Sequence, residues 1–347
     1  MLQRLRDRMG RDAVQYLDVE RCASTPERFL TAVTSSSPFP SHDHRTPANA
    51  REAFDMTMAF MSHASAPGGE PATFLLDEVL ELRTFESFPG LRHVLRDLFD
   101  ALATSNNRFV LTSRYVARAH KLLRDATARF EVMHVLPLTA GEVTDLLAPT
   151  FNGYDQVPAA ERDDLSRTIE ALSNGRASYT AAIGEATARM TGTSDAVGAL
   201  AALLSPGGEL DRACRFCYEL RLHRARGYGA LKAILDILAH EEPMTLTEIS
   251  QRLHRTPGST KDYLSWLEDV DLVTSRQKRY SFTDPLLRLW VRLHCRPVPP
   301  SADDVAREVQ RYAVGRLPHA EPVPALAYAG VEVSADERKS WGIIEID

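Results

Sequence analysis

Residues 73–82 read TFLLDEVLEL, an apolar and β-branched run that stops on two adjacent acids, Asp77 and Glu78. A buried strand ordinarily ends at Gly, Pro or Asn, which turn the chain. Two like charges at its tip repel unless a cation, or work on a phosphate, offsets the repulsion. The run is therefore a buried strand, PATFLLD (71–77), with a carboxylate pair at its exit. Three further runs read as strands: AVQYLDVE (13–20), NRFVLTSR (107–114) and FEVMHVLPL (130–138). Helical patterns separate them. Leu2, Leu5 and Met9 start a helix at the first residue, 34–47 is a loop, and 49–64 is helical. LRHVLRDLFDALAT (91–104) places Leu91, Val94, Leu95, Leu98 and Leu102 on one face, and YVARAHKLLRDA follows the third strand. Strands spaced by helices of this length predict an α/β chain with a parallel sheet covered on both faces.

The remaining composition narrows the function classes. At 347 residues and 44% hydrophobic, the chain has room for two or three domains. A net charge of -6 excludes a globally basic nucleic-acid coat. Cys22, Cys214, Cys217 and Cys295 are too few and too scattered for a disulfide framework, which favours a reducing, cytoplasmic setting. No apolar run approaches the roughly 18 residues of a membrane span. The opening MLQRLRDRMGRD, interrupted by charge, is no signal peptide.

From Thr139 to about residue 225 the pattern is mostly helical. A compact unit follows over 226–296. Leu231, Ile234, Leu235 and Leu238 line one helix, Leu246, Ile249 and Leu253 a second, and Tyr263, Leu267 and Val270 a third. A strand pair, LVTS and RYSF, flanks the basic turn Arg276, Gln277, Lys278, Arg279. Three helices and a hairpin in this order read as a winged helix. The tail, 297–347, opens on PVPP and receives no role.

Acids at the carboxyl end of a parallel strand lie on the edge where α/β sheets bind ligands. The next strand ends on that edge with Thr112, Ser113 and Arg114. FLLDE resembles the Walker B strand, and VLTSR the sensor 1 strand, of P-loop NTPases of the AAA+ and STAND branch. MHVLPLTAGEVTDLL resembles the strand and lid entry of prokaryotic STAND-like ATPases. RYSFTDPLLRLWVRLH resembles the C-terminal domain of the archaeal-type ATPase family. The resemblance covers about residues 1–295. It implies a core over 1–138, a helical lid over 139–225 and a winged helix over 226–296. It further implies ATP and Mg2+ as ligands. Asp77 would hold magnesium through water, Glu78 would polarise the attacking water, and Arg114 would face the γ-phosphate. Thr112 or Ser113 would fill the polar sensor position. The implied function is a nucleotide-dependent switch; the alternative is a noncatalytic winged-helix regulator on a decayed ATPase fold.

Two departures matter. No G-x-x-x-x-G-K-[ST] occurs, and no Gly precedes a Lys. That loop supplies the backbone N–H cradle and the lysine for the phosphates. The favoured expectation is a natural start upstream, since the break falls between loop and helix. The chain as given should then bind ATP poorly and leave a gap beside the strand ending in Asp77. Second, SNGRASY (173–179) has Gly175, Arg176 and Ala177 where the family often has Gly-x-Pro.

Other features have plainer readings. Cys214 and Cys217 form one C-x-x-C on an amphipathic helix, without a second pair, and read as packing. His42, Asp43 and His44 read as solvated loop. Trp266, Trp290 and the Met56, Met58, Met61 series read as core. Over 226–296 eleven Lys/Arg face nine Asp/Glu, a faint basic excess. Ser259, Thr260 and Lys261 on the third helix, with Arg276, Lys278 and Arg279 on the wing, are the candidate DNA contacts. Docking to a protein is the competing use of this unit.

Overall fold

The computed structural model describes residues 2–41, 45–124, 130–151, 159–190, 195–223 and 227–317. The His42–Asp43–His44 group and the chain beyond 317 lie outside the described residues. The amino-terminal part runs α1 (Leu2–Met9), β1 (Val14–Asp18), α2 (Val19–Cys22), α3 (Pro26–Ser35), α4 (Ala50–His63) and β2 (Thr73–Asp77). A 3₁₀ segment (Val79–Ser87), α5 (Val94–Thr104), β3 (Arg108–Leu111) and α6 (Val116–Leu123) complete it. The sheet order is β1–β2–β3, all parallel, with Asp18 opposite Asp77 and Leu76 opposite Leu111.

Residues Thr73 to Leu76 are buried on both faces of the sheet, as a continuous apolar run in a parallel sheet requires. Phe74 points into the main core, where its ring stacks on Phe109 at 5.5 Å and meets Phe39 and Phe60 edge-on. Leu75 points the other way, onto Leu2 of α1 and Val14. Side-chain caps start two of these helices. Thr25 caps α3 ahead of Pro26, and Asn49 caps α4. Asn107 ties the layers together: its amide donates to the Met61 and Ala64 carbonyls, and its Oδ1 accepts the Ala72 N–H at 2.9 Å.

Two sequence expectations are corrected here. FEVMHVLPL forms no strand; 130–139 is irregular, with Met133, Val135 and Leu136 more than three-quarters exposed. A strand needs a partner for its backbone groups; the Leu138 N–H bonds the Gly175 carbonyl at 2.7 Å, but no described strand pairs with this run. The strand ending in Asp77 is also not beside a gap, because β1 and β3 flank it on both sides. The edges of the sheet, among the described residues, are β1 and β3.

The chain continues through α7 (Ala140–Leu147), α8 (Ala159–Ser173), α9 (Ala177–Arg189), α10 (Ala196–Leu204) and α11 (Glu209–His223). A Thr139–Glu142 capping box opens α7. Then come α12 (Tyr228–His240), β4 (Met244–Thr245), α13 (Leu246–Leu253), α14 (Pro257–Asp269), β5 (Val273–Arg276) and β6 (Arg279–Phe282). The last two strands join β4 in an antiparallel sheet of order β4–β6–β5. Gln277 and Lys278 both have positive φ, the backbone of the tight hairpin turn whose twist matches its strands. Beyond lie α15 (Pro285–His294), buried on most sides, and α16 (Ala302–Val314). Trp290 is buried in α15 and donates its indole N–H to Asp211 at 2.8 Å, whereas Trp266 is partly buried. The opening of the tail is thus structured. Arg292 pairs with Glu308 at 2.7 Å, and the Tyr312 hydroxyl donates to the Leu172 carbonyl at 2.9 Å. The chain is mixed α/β and mostly helical.

Candidate functional site

The acid pair stands where β2 leaves the sheet. Glu78 has φ 57° and ψ 46°, a left-handed conformation that is unfavourable for a residue with a Cβ. Neighbouring strand β3 holds it there. Glu78 N–H donates to Thr112 Oγ1 at 3.2 Å, and Val79 N–H to the Thr112 carbonyl at 3.0 Å. Strained backbone of this kind is retained when its surroundings over-determine it, and it clusters at functional sites. The chain therefore turns on a glutamate, where a glycine would do so without strain.

Both oxygens of Asp77 accept hydrogen bonds from neutral hydroxyls on the flanking strands. The Tyr16 hydroxyl donates to Oδ2 at 3.0 Å, and Thr112 donates a short bond to Oδ1. Burial, then the Asp77 carboxylate, raises the Tyr16 hydroxyl above its ordinary range, so it stays a donor. Neutral donors fix the direction of Asp77 without neutralising it.

Glu78 is held differently. Its Oε2 accepts the backbone N–H of Arg114 at 3.1 Å, and its Oε1 lies 2.9 Å from Arg114 Nε. Burial raises the Glu78 carboxyl above the usual range, outweighing the pull of Arg114. For Arg114, burial lowers the pKa, but Glu78 and Glu20 more than offset it and the guanidinium is held above its ordinary value. Glu20, at the start of α2, reaches the other end of that guanidinium at 2.7 Å.

The structure thus brings Asp77, Glu78, Thr112 and Arg114 together. Ser113 is turned to a local task, accepting the Tyr115 N–H at 2.9 Å. Sequence reasoning missed Tyr16 and Glu20. Their only signal was position, since Tyr16 points off the strand paired with β2 and Glu20 sits just past the end of that strand. Asp77 offers hard oxygen atoms suited to magnesium through water. A triphosphate is matched only in part: Arg114 faces the site, and no described glycine loop offers a ring of N–H donors.

The C-terminal candidates split. Lys261, Arg276 and Lys278 are exposed. Arg279 is exposed too but donates to the Pro243 carbonyl at 3.1 Å. Ser259 lines a shallow recess with His254, Arg255 and Thr256 at the start of α14. Thr260 is corrected: it is fully buried, and its hydroxyl bonds the Thr256 carbonyl at 3.0 Å, so it cannot reach DNA. A half-open recess of about 240 Å³ between α3 and α4, lined by Leu30, Met56, Phe60 and His63, lies apart from the acids in sequence.

A parallel sheet with polar groups gathered at its carboxyl edge is an α/β arrangement that binds ligands at that edge. Among solved structures the chain is similar to a Walker-type ATPase of Pyrococcus abyssi. The TM-score is 0.59 at 16% identity, over 83% of this chain and 86% of that one. No family model and no curated protein matches the chain. No helix among the described residues is long and apolar enough to cross a membrane.

Proposed function

We propose that this chain is the ATPase-type module of a nucleotide-dependent switch, with its acid pair as the Walker B element. The observation that carries the reading is the arrangement at one sheet edge. Asp77, fixed by two neutral hydroxyls, stands beside Glu78, and the next strand presents Thr112 and Arg114. In this reading Asp77 would hold magnesium through water, Glu78 would polarise the water that attacks the γ-phosphate, and Arg114 would meet charge developing on that phosphate. Magnesium, when bound, neutralises phosphate charge. Thr112 fills the polar sensor place, because it touches Asp77 while Ser113 does not. Glu78 must first release Arg114, so the arrangement described is a resting one. Residues 139–225 serve as the lid and 226–296 as the winged helix that nucleotide repositions.

A second reading, a noncatalytic winged-helix regulator or adaptor on an ATPase fold, is favoured by one fact: the sequence holds no G-x-x-x-x-G-K-[ST]. For either reading DNA is the partner we propose for the exposed Lys261, Arg276 and Lys278.

Calorimetry with Mg·ATP separates the two. It compares this chain with a version carrying a strand and G-x-x-x-x-G-K-T loop ahead of α1. The switch reading predicts weak binding by the first and firm, magnesium-dependent binding by the second, lost on Asp77→Ala. Binding by the loop-bearing version that is indifferent to Asp77→Ala would overturn it.

A further inference from the structure

We propose that Glu20 is a positioning residue for Arg114, a second carboxylate that shares the guanidinium with Glu78 and receives it when Glu78 lets go. The inference rests on the reading of Glu78 and Arg114 given above. Its geometry is a bridged triad spanning all three strands. Arg114 follows β3, Glu78 follows β2 and Glu20 follows β1, so one cation ties the exits of the whole sheet. The guanidinium uses different nitrogens for the two acids, Nε for Glu78 at 2.9 Å and a terminal nitrogen for Glu20 at 2.7 Å. Because the donors differ, one bond can break while the other persists.

The two acids are unequal. Glu78 is the deeper holder, with its side chain 15% exposed against 32% for Glu20, and it also grips the Arg114 backbone N–H. Arg114 itself is 41% exposed, so water can take up either bond as it breaks. The more exposed Glu20–Arg114 pair contributes little to stability, and it can form and break readily. A Glu78 freed with no second acid nearby would leave Arg114 to swing into solvent. Glu20 keeps the cation on the sheet edge, within reach of an incoming phosphate. It is a geometric guide, and it touches no substrate.

The test reads Arg114 directly, by ¹⁵N–¹H NMR of its side chain, assigned through the signals lost in Arg114→Lys. In the parent, rotation about the Nε–Cζ bond should be slow, because both ends of the guanidinium are held. In Glu20→Gln the terminal nitrogen signals should merge and exchange faster while the Nε–H signal persists. Glu20→Asp should restore part of the slow rotation, and the thermal midpoint should be unchanged in both variants. Identical Arg114 signals in Glu20→Gln and the parent would overturn the proposal, as would simultaneous loss of the Nε–H signal. In the loop-bearing version, Glu20→Gln should also lower kcat several-fold with KM for Mg·ATP unchanged; an unchanged kcat would remove the guiding role. If the loop-bearing parent hydrolyses no ATP, the ATPase reading falls, while the terminal-nitrogen signals still decide what Glu20 does to Arg114.

Discussion

The Asp271 carboxylate accepts the Ala117 N–H at 3.4 Å, so a residue of the C-terminal half caps the helix that begins just past Arg114. The contact is reinforced on both sides. Lys121 Nζ lies 2.5 Å from Asp269, and Arg221 donates to the Asp271 carbonyl at 2.8 Å. Yet Asp271 Oδ2 is buried and makes no close hydrogen bond among the described residues. One polar contact between the two halves of the molecule therefore runs through an under-satisfied acid, beside the apolar core they share. An element of this kind gives way before a packed core does.

That acid gives a pH prediction. Burial outweighs the Ala117 N–H and Arg221 and holds the Asp271 carboxyl above the usual aspartate range. A carboxyl raised on folding contributes stability that is complete below its unfolded value, about 3.9. That contribution is lost as pH rises through the raised folded value. Asp271→Asn keeps an oxygen for the cap and removes the ionisation. Its stability relative to the parent should improve as pH rises from the acid side towards neutrality. Asp271→Ala removes the cap and should cost about 1 kcal/mol. Urea unfolding across pH checks both, and a parent-minus-Asn difference that is flat with pH refutes the argument.

A core prediction tests the sheet. Phe74→Ala should cost about 3–5 kcal/mol, because a fully buried ring with three aromatic neighbours leaves a cavity. Asn107→Ala removes three bonds that join α4 to the strand starts. It should be destabilising by about 1–3 kcal/mol through the buried groups left unpaired. Denaturant midpoints measure both.

How much of this was legible in the sequence depended on whether the signal was local. The three strands, their parallel order and the acid pair follow from apolar runs, helix spacing and charge at one strand tip. The helix over 49–64 was legible as well, whereas α3, capped by Thr25, was not anticipated. FEVMHVLPL misled because its composition suits a strand, while strand formation needs a neighbour that composition does not report. Thr260 misled for the opposite reason: a hydroxyl near a helix start looks available until packing turns it inward. Tyr16 and Glu20 join the site only through strand register and the path out of β1, which no local pattern announces.

The exposed run ahead of α7 should be sticky. Met133, Val135 and Leu136 are each more than three-quarters exposed, and β3 ends the sheet. Open edges and contiguous apolar surface promote association. Sedimentation velocity should show concentration-dependent self-association that Val135→Lys with Leu136→Glu reduces while circular dichroism stays unchanged. Equal association by parent and variant would clear this segment.

For the C-terminal unit, Lys261→Ala, Arg276→Ala, Lys278→Ala and Arg279→Ala together should weaken DNA binding on every sequence. The salt dependence should also become shallower, since fewer counterions are displaced. Fluorescence anisotropy at matched salt reads this, and unchanged affinity would leave the unit to protein docking.

We propose that Asp77, Glu78 and Arg114 form one metal and γ-phosphate site. Paramagnetic broadening by Mn2+·ATP, followed in the amide spectrum of this chain, tests it most directly because it detects even weak binding. The account predicts broadening centred on Asp77 to Val79 and on Thr112 to Tyr115, lost in Asp77→Ala. Broadening centred elsewhere, or unchanged by Asp77→Ala, would contradict it.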